Sequence, residues 1–233
     1  MTSHTQDLRE RITRARYVLF DFDGPVCRLF AGHAADGVSR KLVGSLEARG
    51  LRHLLSDEER NATDPLDVLR AVHRRCPGSD LMVDLEELLT QEELRAASSA
   101  KATDFADLVV RTWAARGARL AVTTNNSSRA VRKYLESRGL DVYFAKRLYG
   151  RTADPGLLKP DPYCLKQALA ALDADPVDAL MVGDAPSDLL AAQKAGVSFL
   201  GYARNGRKEK LLRDAGAEDL VLSMDRVLSA LRD

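Results

Sequence analysis

The chain has 233 residues, of which 45% are hydrophobic and 30% are charged, a composition typical of a globular protein rather than a disordered one. Its 35 Lys and Arg residues nearly balance its 34 Asp and Glu residues, and a formal net charge of +1 gives no overall field that would attract nucleic acid or a membrane surface. The length allows a large core and a smaller module, so we expect two compact units that act on a small molecule.

The cysteines and the first residues indicate the cellular compartment. Cys27, Cys76 and Cys164 are scattered and show no CxxC spacing, which argues against a disulfide framework and against a zinc site. Polar and charged residues fill positions 1–16, and no apolar run reaches the roughly 18 residues that a membrane span requires. These features predict a cytoplasmic protein.

Short apolar runs, each followed by a polar turn and helical periodicity, give the βαβ rhythm of a parallel sheet covered by helices. The predicted strands are residues 17–20, 119–123, a weaker run at 142–148, 179–182, 197–202 and 219–222. Gly139, Gly196 and Gly216 follow helical runs where C-terminal caps would lie, and Asp161-Pro162 supplies an N-cap followed by proline. The pattern predicts an α/β fold with a Rossmann-like core, in which helices flank a mainly parallel sheet.

A long segment of helical periodicity separates the first two strands. Its candidate helices are residues 37–49, 65–75 and 81–97. Since structureless connections beyond about 15 residues are uncommon, this segment should fold as a unit. We therefore predict a helical cap at 28–105, inserted into a core made of 1–27 and 106–233.

Two carboxylates follow the first predicted strand directly, in the segment Asp21-Phe22-Asp23-Gly24. Strand geometry places Asp21 and Asp23 on the same side, where they repel each other unless a cation compensates. A solvated acidic turn is one interpretation. The other is a site in which one carboxylate attacks phosphorus, the second moves a proton, and a divalent metal neutralises the cluster.

A second acidic cluster follows the run at 179–182, where Gly183-Asp184 precedes Asp188 and a helix at 189–195. A partial set of hard oxygen ligands is what magnesium prefers, and we expect Asp184 to bind it directly. Asp188 is open to two interpretations. It could satisfy amides at the helix N-terminus, or it could support the metal ligands from behind.

Two further segments offer anion-binding groups. Residues 123–128, Thr-Thr-Asn-Asn-Ser-Ser, follow a strand and present hydroxyls and amides, although the same residue types are ordinary helix N-caps. Lys159 precedes Pro160, which biases the lysine towards an extended conformation and could hold its ammonium group on a buried anion.

The order of these segments is more specific than any one of them. DxDG, a strand-end Thr-Asn, a lysine before proline, and GDxxxD resemble the ordered motifs of the haloacid dehalogenase-like hydrolase superfamily, over nearly the whole chain. The helical insert after the first motif resembles the cap of its phosphoglycolate phosphatase-like and β-phosphoglucomutase-like branch. The resemblance implies that Asp21 forms an aspartyl-phosphate, and that Asp23 protonates the leaving group and then activates water.

The resemblance also implies roles for the other motif residues. Thr124 and Asn125 would bind the phosphoryl group, and Lys159 would balance its charge. Thr124 is preferred to Thr123 because the family motif places the hydroxyl residue next to asparagine. Mg²⁺ would be held by Asp21, the carbonyl of Asp23, and Asp184.

One departure from the family pattern concerns Pro25, which stands where the family often has threonine and puts the substrate class in doubt. The dehalogenases of the superfamily lack the second aspartate of DxDG, so Asp23 favours phosphate chemistry. Three hypotheses follow: a phosphatase for a small phosphomonoester, a phosphomutase for a sugar phosphate, or a catalytically silent phosphate-binding module. The expected partner is a small phosphorylated metabolite, without nucleic acid or membrane, bound by a monomer or homodimer.

Overall fold

The computed structural model describes residues 2–232, and its central feature is one sheet of six parallel strands. These strands are β1 (Tyr17–Phe20), β4 (Arg119–Thr123), β5 (Leu148–Tyr149), β6 (Ala179–Gly183), β7 (Ser198–Tyr202) and β8 (Leu220–Val221). They lie in the order β5-β4-β1-β6-β7-β8, and every pairing is parallel. The predicted α/β fold class is therefore confirmed.

Helices cover both faces of this sheet. They are α1 (Thr2–Arg14), α6 (Ala106–Ala115), α7 (Ser128–Arg138), α8 (Asp141–Phe144), α9 (Tyr163–Leu172), α10 (Pro186–Ala195), α11 (Gly206–Asp214) and α12 (Met224–Arg232). Successive residues of β1 point to opposite faces. Phe20 packs with Trp113 of α6 on one face, and Leu19 packs with Leu165 of α9 on the other. Both faces are buried, as a parallel sheet requires.

The segment between β1 and β4 is mostly helical, as predicted. Its helices are α2 (Ala35–Ala48), α3 (Asp57–Arg60), α4 (Pro65–Arg75) and α5 (Asp80–Ala97). The longer three pack around an apolar cluster of their own, which includes Leu42, Leu69 and Leu85. A short antiparallel ladder that was not predicted, β2 (Cys27–Arg28) with β3 (Lys101–Ala102), joins the two ends of the segment. An inserted helical cap is therefore part of the fold.

Four short 3-10 turns complete the described elements, at Leu29–Ala31, Arg52–Leu54, Pro155–Leu157 and Pro176–Asp178. Local sequence explains where the cap helix α4 begins, because Asp64 Oδ1 accepts the amide hydrogen of Leu66 at 2.9 Å and Pro65 occupies the first helical position. Within residues 2–232, no helix combines the length and the apolar character needed to cross a bilayer.

The weak predicted strand at 142–148 was wrong over most of its length. Residues 141–144 form α8, and β5 begins only at Leu148. Leu140 and Phe144 are both fully buried at a spacing of four, which places them on one face of a helical turn rather than on alternate faces of a strand. Phe144 also makes an edge contact with Phe20, with ring centroids 6.2 Å apart.

The other predicted boundaries differ by small amounts. The strands at 17–20 and 119–123 are confirmed, and those at 179–182, 197–202 and 219–222 shift by one residue at one or both ends. Gly139 and Gly196 are confirmed as left-handed C-caps. Helix α9 begins at Tyr163, one residue later than predicted, although the side chain of Asp161 accepts the Tyr163 amide hydrogen at 2.9 Å as an N-cap residue does. Helix α10 begins at Pro186, three residues earlier than predicted.

The strand order positions the site. From β1 the chain builds β4 and β5 on one side, and then β6, β7 and β8 on the other. Phe20 is level with Val122 of β4 and with Val182 of β6, so the residues that follow these three strands meet at one edge. Ligands of open α/β sheets bind at such a reversal of strand order, beyond the carboxyl ends of the strands.

Candidate active site

A cavity of about 530 Å³ lies beyond the carboxyl ends of β1, β4 and β6, between the sheet and the helical cap. Its lining includes all seven residues that the sequence singled out: Asp21, Asp23, Thr124, Asn125, Lys159, Asp184 and Asp188. On the cap side it is lined by residues that include Phe30, Pro65 and Arg70. The ordered motifs of the sequence thus converge on one place.

Asp21 and Lys159 form the centre of the site. The Asp21 amide continues the sheet by donating to the Val182 carbonyl at 2.8 Å, and its side chain is only 10% exposed. Lys159 Nζ lies 2.8 Å from Asp21 Oδ1, 2.6 Å from Asp188 Oδ1 and 2.9 Å from the Thr123 carbonyl. Burial opposes the ammonium form, but the carboxylates of Asp188 and Asp21 outweigh it and raise the pKa of Lys159. The lysine is therefore a fixed cation shared by two carboxylates.

Asn125 holds the backbone of Lys159 in place. The Lys159 amide donates to Asn125 Oδ1 at 2.8 Å, and Asn125 Nδ2 donates to the Lys159 carbonyl at 3.2 Å. This pair of hydrogen bonds engages both ends of the asparagine side chain. The predicted phosphate contact of Asn125 stays a prediction, and it would fall to the main chain of that residue.

Asp23 lies at the start of a tight turn. The Leu29 amide donates to Asp23 Oδ1 at 2.8 Å, which fixes the carboxylate at the cavity wall. Burial, reinforced by the charge of Asp21, raises the pKa of Asp23 to about 6. Gly24 follows with a φ of +135°, and a Cβ on this residue would lie 2.4 Å from Asp184 Cγ. The glycine therefore allows the turn and the Asp184 carboxylate to approach each other closely.

Asp184 and Asp188 occupy the end of β6 and the first turn of α10. Burial, reinforced by Asp21 against the opposing charge of Lys208, raises the pKa of Asp184 to about 6. Asp188 Oδ2 accepts the amide hydrogens of Asp184 at 3.0 Å and Ala185 at 3.1 Å, while its other oxygen contacts Lys159. Asp188 thus satisfies amides at the helix N-terminus, as the first interpretation of this residue expects, and its support of metal ligands stays a prediction.

The two threonines at the end of β4 point in different directions. The Thr123 hydroxyl donates to the sulfur of Met181 at 3.3 Å inside the sheet core. The Thr124 side chain lines the cavity, where its hydroxyl donates to Asn126 Oδ1 at 3.1 Å and accepts from the Asn126 amide at 3.2 Å. The geometry favours Thr124 as the residue that faces a ligand.

The donor set fits a hard divalent cation. Asp21, Asp184 and Asp188 each offer a carboxylate oxygen, and these atoms lie within 4.8 Å of one another. Asp184 Oδ2 is buried and faces a single cationic group, Lys208 Nζ, at 2.8 Å among the described residues. Carboxylate oxygens are the ligands that Mg²⁺ prefers. The site can therefore accept the metal that the sequence predicts.

Sequence reasoning missed five charged residues at or behind this cavity, among them Asp64, which also lines it. Lys208 and Arg70 line it directly, and Glu93 lines it from α5 with Arg151 behind. Lys208 lies in the first turn of α11, the helix that follows β7, and its place after the end of a predicted strand was the signal that could have found it. Arg70 and Glu93 lie on amphipathic cap helices, where a charged residue usually indicates a solvated face.

The sequence of the chain also matches a known protein family. The family model for haloacid dehalogenase-like hydrolases matches residues 15–196, which is well over half of the chain. The chain belongs to the haloacid dehalogenase-like hydrolases. The matched range covers the four ordered motifs and the inserted cap of this hydrolase. The resemblance noted from the motifs is confirmed.

Curated relatives match this hydrolase over part of their length. A phosphoglycolate phosphatase of Rhodospirillum rubrum is 40% identical over 95 residues, which are 39% of this chain and 39% of the relative. The pyrophosphatase PpaX of Halalkalibacterium halodurans is 32% identical over 121 residues, 51% of this chain and 54% of the relative. The chain thus spans between two fifths and about half of the length of these relatives.

Solved structures share the fold over nearly the whole hydrolase. A predicted phosphatase from Clostridium acetobutylicum superposes with a TM-score of 0.70 at 21% identity, covering 94% of this chain and 98% of that one. CbbY from Rhodobacter sphaeroides, in complex with phosphate, gives a TM-score of 0.67 at 20% identity and covers 94% of this chain and 100% of that one. At this level of identity the likeness extends to the fold alone.

Proposed function

We propose that this hydrolase is a magnesium-dependent phosphatase that hydrolyses a small phosphomonoester through an aspartyl-phosphate on Asp21. The observation that carries the proposal is the contact of the buried Asp21 carboxylate with Lys159 at 2.8 Å, in a cavity that Asp23 also lines. A carboxylate held by a fixed cation is oriented for attack, and a second carboxylate nearby can move the proton that the reaction requires.

The proposed reaction has two displacements. In the first, an oxygen of Asp21 bonds to phosphorus as the bond to the leaving alcohol oxygen breaks, and Asp23 gives that oxygen a proton. In the second, Asp23 takes a proton from water, the water oxygen bonds to phosphorus, and the bond to Asp21 breaks to release phosphate. Lys159 and Thr124 would hold the phosphoryl oxygens, since positioning and charge stabilisation are what this chemistry chiefly needs.

Asp21, Asp184 and the carbonyl of Asp23 would hold Mg²⁺, with Asp188 behind them. Bound there, the metal would compensate the negative charge of the carboxylates and of the phosphoryl oxygens. Support comes from the spacing of the Asp21 and Asp184 oxygens and from the cradle that Gly24 leaves for the Asp184 carboxylate.

The helical segment 28–105 would act as the cap that closes over the core, 1–27 and 106–233, and excludes water from the intermediate. Two observations support these limits. The ladder of β2 with β3 brings the two ends of the segment side by side, and the cap helices enclose their own apolar cluster. Arg70 of α4 reaches the cavity and donates to the Lys159 carbonyl at 3.3 Å.

The proposed substrate is a small phosphorylated metabolite rather than nucleic acid or a membrane lipid. The near-neutral charge of the chain supports this choice, and so do the names of its relatives, phosphoglycolate phosphatase and a pyrophosphatase. The three cysteines are free, as suits a cytoplasmic location. We propose a monomer or a homodimer, which light scattering of the purified protein would distinguish.

The test is Asp21→Asn, with Asp84→Asn as the matched control. Asp84 lies on α5 in an exposed pair with Arg49, where an amide should change little. We expect Asp21→Asn to keep its far-ultraviolet circular dichroism and to lose at least about a thousandfold in hydrolysis of an aryl phosphate. Chelation of the metal should abolish wild-type activity, and added Mg²⁺ should restore it.

Several outcomes would overturn the proposal. Hydrolysis retained in Asp21→Asn would exclude Asp21 as the nucleophile. Turnover of a sugar phosphate without release of free phosphate would identify a phosphomutase instead. Phosphate binding by a wild-type protein that turns over nothing in a panel of phosphorylated metabolites would identify the silent module.

A further inference from the structure

We infer that Glu93 of the cap helix α5 and Arg151, which follows β5, form a positioning pair that fixes the shape of the loop 124–127. The inference rests on the proposed function, which assigns this loop to the transferring phosphoryl group. In this arrangement a carboxylate from the cap shapes part of the phosphate-binding loop of the core.

Glu93 makes four contacts with its two carboxylate oxygens while its side chain is 1% exposed. Oε1 accepts from Asn126 Nδ2 at 3.0 Å and from Arg151 at 2.9 Å. Oε2 accepts from the Ser127 amide at 2.9 Å and from Arg151 at 3.0 Å. The Ser127 amide lies just before α7, where a negative charge is also favoured by the helix dipole. One carboxylate thus holds two consecutive loop residues.

Arg151 uses its guanidinium group on the same cluster, and its side chain is fully buried. Besides the two oxygens of Glu93, it donates to the Asn125 carbonyl at 3.1 Å, to the Thr90 hydroxyl at 3.1 Å and to Glu86 at 3.2 Å. These contacts engage all five N–H groups of the planar fork. Because both partners lie in this fixed geometry, neither can move without moving the loop.

The network reaches the cavity through Asn126. The asparagine amide nitrogen donates to Glu93, while its oxygen accepts from the Thr124 hydroxyl at 3.1 Å. The Thr124 hydroxyl is the group expected to meet the phosphoryl oxygens. The orientation of Asn126, and with it that of Thr124, is therefore set by a residue of the cap.

The opposite side of the loop is closed by the backbone after β5. The Arg151 amide donates to the Asn126 carbonyl at 2.9 Å, and a Cβ on Gly150 would lie 2.5 Å from that carbonyl oxygen. The loop is therefore bracketed between this strand end and α5. Helix α5 packs against both the cap and the sheet, since Leu85 belongs to the apolar cluster of the cap and Ala96 to that of the sheet.

The chain offers a matched control on the same helix. Glu87, six residues before Glu93, also reaches from α5 to α7, where Arg129 donates to its two oxygens at 3.0 Å and 2.7 Å. Both side chains of that pair are about half exposed and neither lines the cavity. Glu87→Gln therefore removes a cap-to-core ion pair without touching the loop.

The experiment compares Glu93→Gln with Glu87→Gln in buffer containing Mg²⁺. The measurements are the inhibition constant of inorganic phosphate, kcat and KM for an aryl phosphate, and thermal unfolding. In Glu93→Gln, an amide N–H must face a donor of Arg151, Asn126 or Ser127, which displaces the loop. We expect the phosphate inhibition constant to rise by at least about tenfold and kcat/KM to fall by about tenfold to a hundredfold, with Glu87→Gln unchanged.

A second variant tests the same pair in case Glu93→Gln does not fold. Arg151→Lys keeps the positive charge but loses the fork that spans both Glu93 oxygens, and it should weaken phosphate binding in the same direction. If either folded variant is less stable but binds phosphate as the wild type does, the pair is only a structural tie and the inference is wrong. If the wild type neither hydrolyses aryl phosphates nor binds phosphate, the proposed function fails instead.

Discussion

Gly24 offers a sharp test of how closely the two acidic motifs must approach. Its φ of +135° is strained for any residue with a side chain, and residues held in such conformations cost about 1–3 kcal/mol. In Gly24→Ala, the new Cβ would also lie 2.4 Å from Asp184 Cγ, whereas ordinary contact begins at 3.4 Å. The Asp184 carboxylate must therefore retreat by about 1 Å, and a misplacement of that size can cost about a hundredfold in rate.

The assay for Gly24→Ala combines three measurements: Mg²⁺ affinity by calorimetric titration, hydrolysis of an aryl phosphate, and the free energy of unfolding in urea. We expect weaker metal binding, about a hundredfold lower kcat/KM, and a loss of stability of about 1–3 kcal/mol. Gly44→Ala is the control, because a Cβ on Gly44 would meet nothing within 4 Å beyond its own helix α2, and alanine favours a helix. Metal affinity and kcat/KM within threefold of the wild type in Gly24→Ala would refute the reasoning.

Two further predictions concern the metal site and the core. Lys208→Met removes an ammonium group 2.8 Å from Asp184 Oδ2, so the Mg²⁺ affinity measured by calorimetry should rise about fivefold, while Lys210→Met, on the same helix in an exposed pair, should leave it unchanged. Equal or weaker affinity in Lys208→Met would contradict this. Trp113→Phe loses the indole hydrogen bond to the Ile12 carbonyl at 3.1 Å and should lower the unfolding free energy by about 1–3 kcal/mol without changing kcat.

The strand ends explain why so much of the site could be predicted from the sequence. Asp21 and Asp184 follow apolar runs directly, and a parallel sheet brings such ends to a common edge whatever the details of helix packing. The cap could also be predicted, because about 80 residues of helical periodicity cannot form a loop. At these positions the short-range sequence pattern and the strand order of the sheet indicate the same residues.

Prediction failed where a residue acts through tertiary contacts alone. Glu93 has the spacing of any polar residue on an amphipathic helix, and only the approach of Arg151 and Ser127 gives its carboxylate a role. The weak strand at 142–148 failed for a related reason. Its apolar residues fit either period over so short a stretch, and packing of Phe144 against Phe20 favours the helical turn.

The charges around Asp21 connect metal binding with phosphate binding. Close to Asp21, a cluster of four interacting carboxylates faces two ammonium groups: Asp21, Asp23, Asp184 and Asp188 against Lys159 and Lys208. With all four ionised, the cluster carries an excess of about two negative charges, which would repel a phosphate dianion at close range. One divalent cation matches that excess. Phosphate affinity should therefore fall when the metal is chelated, even in a variant such as Asp21→Asn that cannot turn over.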